Sequence, residues 1–283
     1  MLRLRREKMI KDYEIKYKEL LKDFLEKLPE EIPFGMPCPM IPCVGNLYDE
    51  AKTKIAFFGM ETNGWKNLYK LKGFYIKENI DAAFEYLIDL FHKKTFINWT
   101  NHFHTSFWDY ILMFLSQFYN LDKNFKFTSN GEDFHILESF IWGNTNALER
   151  YHVTAQKNNV EYGLWNKIKE LSRKFDSAEY IIETCKPDVM IILHWRKSKS
   201  WILGKKKVKP EIIGDHLHYY YLEDNDTHVY WLAHPAWMSR KKQFKPSIEK
   251  IINHLKIKDI TGNYNEVLTE KPEDHKAEAL TIS

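Results

Sequence analysis

Apolar residues along this chain alternate between helical and strand-like spacing, and that alternation predicts its fold class. Residues 8–28 place Tyr13, Tyr17, Leu20, Leu21, Phe24 and Leu28 on one helical face, with Lys and Glu elsewhere. The stretch LPEEIPFGMPCPMIPCVG follows, and its five prolines remove amide donors and fix φ, so it reads as an extended segment. KIAFFG (54–59) is a short apolar run ending in Gly, the pattern of a buried parallel strand feeding a loop. Phe84, Leu87, Ile88 and Phe91 keep helical spacing, as do Trp108, Ile111, Leu112 and Leu115. SFIWGN (139–144) predicts a second strand, LWNKIKELSRKF a helix, and SAEYIIETC another helix stopped by Lys186-Pro187. DVMIIL (188–193) and VYWLAH (229–234) complete the strands, DHLHYYY (215–221) alternates like an exposed edge strand, and PSIEKIINHLK predicts the last helix.

Strands alternating with helices imply an α/β fold: three layers, α/β/α, around a central, mostly parallel four-stranded sheet. The reading divides the chain into residues 1–49 (N-terminal helix and Pro-rich segment), an α/β domain over 50–262, and a tail over 263–283. A helical, aromatic-rich insertion falls at about 75–135 within the domain. The tail has few large apolar residues and is expected to be disordered.

Charge adds one asymmetry. The formal net charge is +3. The tail holds Glu266, Glu270, Glu273, Asp274 and Glu278 against two lysines, a net −3, which leaves +6 on the remainder and favours an anionic partner. Three cysteines (Cys38, Cys43 and Cys185) cannot pair completely or supply a four-thiolate cluster. Cys38 and Cys43 read as small apolar fillers. No segment resembles a secretory leader or a membrane span, so the expectation is a cytoplasmic, reduced monomer without cofactor or metal.

In sheets of this kind, ligands bind at the carboxyl ends of the strands. Three loops qualify: GMETNGW (59–65), GNTNAL (143–148) and HPAWMSR (234–240). Each alone is accounted for by a turn at Gly59 and Gly64, a helix cap at Asn144, or a strand end at His234-Pro235. Together they put polar groups at three strand ends that should converge.

This trio resembles the uracil-DNA glycosylase superfamily. GMETNGW is similar to its first motif in the single-strand-selective branch, and HPAW to its His-Pro motif after the last strand. CKPDVMIIL is similar to the penultimate strand, and FIWGNTNAL to the strand whose end carries a base-reading Asn. The resemblance spans roughly residues 50–255, and its strength lies in the order and spacing of four short motifs. Thr62 stands where the family has Pro, and Glu61 where it has Asp or Asn. Asn63 stands where one branch has a Tyr that crowds the pyrimidine C5 position. These departures leave the scaffold better supported than uracil as the substrate.

The resemblance implies a monofunctional DNA glycosylase acting on a flipped-out pyrimidine, and the residues suit that chemistry. Breaking a nucleoside C–N bond leaves an oxocarbenium-like sugar and a departing base anion. Glu61 can hold the attacking water and oppose the positive sugar, with Asn63 beside it, and His234 can donate to the base O2. Asn144 offers a donor and an acceptor to a Watson–Crick edge, and Gly59, Met60 and Trp65 would line the pocket. A flipped base leaves a gap in the stack, which Trp237 and Met238 after the His-Pro corner could fill as a wedge. Trp237 serves equally well as a lid on a hydrophobic edge. Arg240, Lys241, Lys242 and Lys245 are candidate phosphate ligands. So are Lys205, Lys206 and Lys207, in a run with seven Lys or Arg between Arg196 and Lys209 and no acid. Trp195 and Trp201 interleave that run.

Other readings stay open. Asn63 in place of a blocking Tyr, with an aromatic insertion, suits a bulky modified pyrimidine, as in superfamily members that attack hypermodified phage DNA. A non-catalytic nucleic-acid binder on the same scaffold would keep Glu61 only as a remnant. A metal-dependent nuclease would use His102 and His104, though His-x-His without nearby acids or cysteines is a weak metal signal.

Overall fold

A computed structural model of the chain describes residues 2–26, 41–59, 105–121, 134–145, 176–194 and 208–262. The helices expected over 84–91 and 164–175, the His102/His104 segment and the acidic tail lie outside these residues. The strands are β1 (Cys43–Val44), β2 (Ile55–Gly59), β3 (Phe140–Asn144), β4 (Val189–Leu193), β5 (Glu211–Gly214), β6 (Leu217–Leu222) and β7 (Thr227–Leu232). The helices are α1 (Leu2–Glu26), α2 (Ser106–Phe118), α3 (Phe134–Leu137), α4 (Ser177–Cys185), α5 (Pro235–Arg240) and α6 (Phe244–Ile257).

The class is α/β, built on one mixed, open sheet with strand order β1-β3-β2-β4-β7-β6-β5. β3 pairs with β2, β2 with β4 and β4 with β7 in parallel, whereas β1, β6 and β5 join antiparallel. Seven strands replace the four expected. Two of the additions, β1 and β5, are only two and four residues long, too short for alternation to register. DHLHYYY is correspondingly not an edge: β6 is flanked by β7 and β5, and Tyr219 and Tyr220 are buried.

All positions of β2, β3 and β4 are buried, so both faces of these strands are covered. On one face Phe57 meets Phe114 of α2 edge-on at 5.5 Å, and Trp142 meets Trp108 of α2 at 4.7 Å. Tyr230 bonds His254 of α6 on the same face, in register through Ile191. On the other face Phe58 approaches Pro42 across Gly143, and the Pro42 carbonyl accepts from Tyr13 of α1 at 3.3 Å. Tyr13, Tyr17 and Tyr180 of α4 pack with ring centroids 5.9 Å apart. α1 and α2 thus belong to the same core as the strands, although one falls in the expected N-terminal segment and the other in the expected insertion.

Local chemistry sets the limits of α4. The Asp176 carboxylate accepts from the Ala178 and Glu179 amides at 2.8 and 3.3 Å, capping the start. Lys186 at φ 44° and the following Pro187 end it. Cys43 and Cys185 are buried free thiols, and burial pushes both upward, Cys185 to about 12. Both thus act as apolar filler rather than as reactive thiolates.

A histidine–tyrosine cluster between the β5–β7 end of the sheet and α6 makes stability depend on pH. His228 and His254 each share a 2.8 Å hydrogen bond at Nδ1 with a tyrosine hydroxyl, from Tyr219 and Tyr230 respectively. Desolvation is the main force holding both rings below 6.5. Asp226 opposes it at His228 and Glu211 at His254, while Lys258 reinforces it at both. The folded state therefore favours the neutral rings. Their contribution is complete above the unfolded value of about 6.5 and is lost as pH falls through the lower folded values. The melting temperature should fall as pH drops below about 6.5, less steeply in His254→Gln than in wild type. Equal slopes in calorimetry would remove His254 from the effect.

Candidate functional site

The parallel register brings the polar strand ends to one edge of the sheet. Asn144 pairs with Gly59, Phe58 with Ile192, and Leu193 with Leu232, so the chain leaves β3, β2, β4 and β7 at one level. From β2 the chain continues to β3 on one side, and from β4 to β7 on the other. Connections diverging from adjacent parallel strands mark a topological switch point, the usual place for a ligand in such sheets, here between the exits of β2 and β4.

Gly59 matters here for the space it leaves. A Cβ on it would sit 2.8 Å from Asn144 Oδ1 and 3.2 Å from the Phe107 ring. The missing side chain lets the Asn144 carboxamide lie against the end of β2. Asn144 is 5% exposed, and its neighbour Thr145 accepts at Oγ1, or donates, across 3.0 Å to His194 Nε2. Nine polar or charged side chains are buried among the described residues, and Asn144, Thr145, Asp176, Ser177 and His194 gather at this edge. Burying polar groups is costly unless they are bonded, so their concentration marks the edge as more than core filling. Thr145 and His194 were not among the residues singled out from sequence. Their signal was position alone, since each directly follows the last residue of a buried strand.

His234 follows β7 and begins α5. HPAWMSR is therefore a short helix rather than a loop, with Pro235 at its first position and the His234 side chain as its cap. The Ala236 amide donates to His234 Nδ1 at 3.2 Å, so the neutral ring carries its proton on Nε2. Partial desolvation, reinforced by Arg240, holds His234 below 6.5 even though the residue is exposed to solvent. A neutral ring with a fixed Nε2–H is suited to donating a hydrogen bond to a ligand. β7 lies two interstrand spacings from β2, so the two exits stand roughly 10 Å apart.

The helix also corrects an expectation. Met238 is 2% exposed and takes a contact from Ser247 Oγ at 3.9 Å, so it belongs to the core and not to a solvent-facing wedge. Helical spacing turns Pro235 and Met238 inward together, three residues apart. Trp237 is half-buried and meets the edge of His216 at 4.8 Å. Arg240, Lys241, Lys242 and Lys245 are exposed, and Lys245 stands 3.8 Å from Glu249. Beneath α5 lies a cavity of about 30 Å³ lined by His216, Ala233, Trp237, Met238, Ser247 and Lys250. It has room for about one water, not for a nucleobase.

Met60, Glu61, Asn63, Trp65, Lys205, Lys206 and Lys207 lie outside the described residues. Glu61 is nonetheless tethered two residues beyond Gly59. Among the described residues no three His, Cys, Asp or Glu side chains are grouped to hold a metal ion, and no helix is long and apolar enough to cross a membrane. No protein-family model, curated protein or solved structure matches the chain.

Proposed function

We propose that this chain is a monofunctional DNA N-glycosylase, akin to the uracil-DNA glycosylase superfamily, that removes a flipped-out pyrimidine and leaves an abasic site. The scaffold is the three-layer α/β/α type, with the parallel strands β3, β2, β4 and β7 as its working centre. The reading rests chiefly on one observation: Asn144, laid against Gly59, shares a sheet edge with His234, whose neutral ring carries its proton on Nε2.

The base enters between these groups, its Watson–Crick edge toward Asn144, with Gly59, Met60 and Trp65 around it. As the glycosidic C–N bond breaks, its electron pair goes to the base, and His234 Nε2–H stabilises the charge growing on O2. Glu61, with Asn63 beside it, holds the water that adds to C1′ of the sugar and accepts the proton this water loses. Trp237 fills the vacated stack, and Arg240, Lys241 and the lysines at 205–207 bind flanking phosphates. The substrate class includes uracil and bulkier 5-modified pyrimidines, such as those of phage DNA, since Asn63 replaces a blocking Tyr.

The test incubates the protein in EDTA with single- and double-stranded DNA carrying uracil or a bulky 5-modified pyrimidine. Mass spectrometry identifies any released base. Base release with strand breakage only after alkali supports the proposal. Breakage before alkali that EDTA abolishes would instead indicate a nuclease, and tight binding without release a non-catalytic binder.

A further inference from the structure

Thr145 bonds to three other elements at the switch point between β2 and β4. Its amide donates to the Gly59 carbonyl of β2 at 2.9 Å, and its own carbonyl accepts from the Ser177 amide of α4 at 3.3 Å. Its hydroxyl shares the 3.0 Å bond with His194 Nε2, reaching past the exit of β2 to the exit of β4. His194 is held in turn: its carbonyl accepts from Trp231 Nε1 of β7, and its ring stands edge-on to the Trp231 ring at 5.7 Å. One side-chain hydrogen bond therefore closes a circuit through β2, β3, β4, β7 and α4.

Alternation along β3 connects this circuit to the site. Successive strand residues face opposite sides, so Asn144 faces the α2 layer and Thr145 the α4 layer. The planar peptide between them carries the constraint back along the chain: holding Thr145 holds the Asn144 carbonyl and limits the backbone from which its side chain projects. The Thr145 amide likewise holds the last carbonyl of β2, from which the chain departs toward Glu61. An apolar pair could close the same gap without burying a hydroxyl and an imidazole. A hydrogen bond adds direction, which hydrophobic contact lacks.

We infer that Thr145 and His194 are positioning residues, a clasp across the exit of β2 that sets Asn144 and the end of β2 in catalytic register. The inference builds on the glycosylase reading for its effect on rate, whereas the clasp itself has an independent readout.

The experiment compares wild type with Thr145→Val, which keeps shape but loses the hydroxyl, and Thr145→Ser, which restores it. His194→Leu and His194→Gln provide a second broken and restored pair should Thr145→Val fail to fold. In single-turnover assays the broken variants should lose about 10–100-fold in maximal rate, with half-saturating DNA concentration changed by less than about twofold, as expected for misplaced reacting groups. The restored variants should recover most of the rate. Amide hydrogen exchange at Asn144, Thr145 and His194 should accelerate together in the broken variants and recover in the restored ones. Unchanged exchange in the broken variants overturns the clasp, and so does a restored variant as slow as its broken partner. A loss confined to half-saturation overturns the positioning role. If wild type releases no base, the functional proposal fails by itself, and exchange still decides the clasp.

Discussion

Glu61→Gln should lower single-turnover base release by on the order of 10²–10⁴-fold, the usual scale for removing an acid–base group, while DNA affinity stays near wild type. The carboxamide keeps the shape and hydrogen-bonding reach of the carboxylate. It can neither take a proton from the attacking water nor oppose an oxocarbenium-like sugar with negative charge. Loss in the chemical step without loss in binding is the signature of an interaction made in the transition state alone. Rapid-quench kinetics at saturating protein, alongside equilibrium binding to the same DNA, measure both quantities. Unchanged release would move the water-holding role to Asn63 or remove the catalytic assignment.

Gly59→Ala is the second large effect, and it follows from geometry in hand. The added methyl would lie 2.8 Å from Asn144 Oδ1, closer than a Cβ tolerates, and 3.2 Å from the Phe107 ring. The backbone there is β-strand, so the conflict is one of space and not of conformational strain. The softest response is displacement of the Asn144 side chain away from the end of β2. A displacement on the scale of 1 Å at a positioning group can cost about 10²-fold in rate. Release by Gly59→Ala should fall by that order, with a stability loss of roughly 1–3 kcal/mol from overpacking. Denaturant unfolding separates the two contributions: a variant that stays folded yet does not release base locates the damage at Asn144. Wild-type release from a folded Gly59→Ala protein would take Asn144 out of base recognition.

The central strands and several of the residues at their ends are legible in the amino-acid sequence. KIAFFG, FIWGN and VMIIL are continuous apolar runs because strands covered on both faces have no side to leave polar, and each became a strand within a residue or two. Gly59, Asn144 and His234 could be singled out because each closes or closely follows such a run, where a parallel sheet presents its binding edge. Lys186-Pro187 marked the end of α4 through backbone chemistry alone.

Long-range pairing decided the rest. The strands β1 and β5 carry too few residues for a periodic signal, and only partners far along the chain make them part of the sheet. Met238 looked exposed among cations, yet the His234 cap and Pro235 start a helix whose inner side buries it. Thr145 and His194 stand 49 residues apart, each unremarkable in its own loop, and their hydrogen bond exists because the crossover brings β4 to the other side of β2 from β3. Local sequence determines where strands end and which residues stand at those ends, since periodicity and caps act over a few residues. Which ends become neighbours is a property of sheet order and register, and these arise only when distant segments bury their faces against one another.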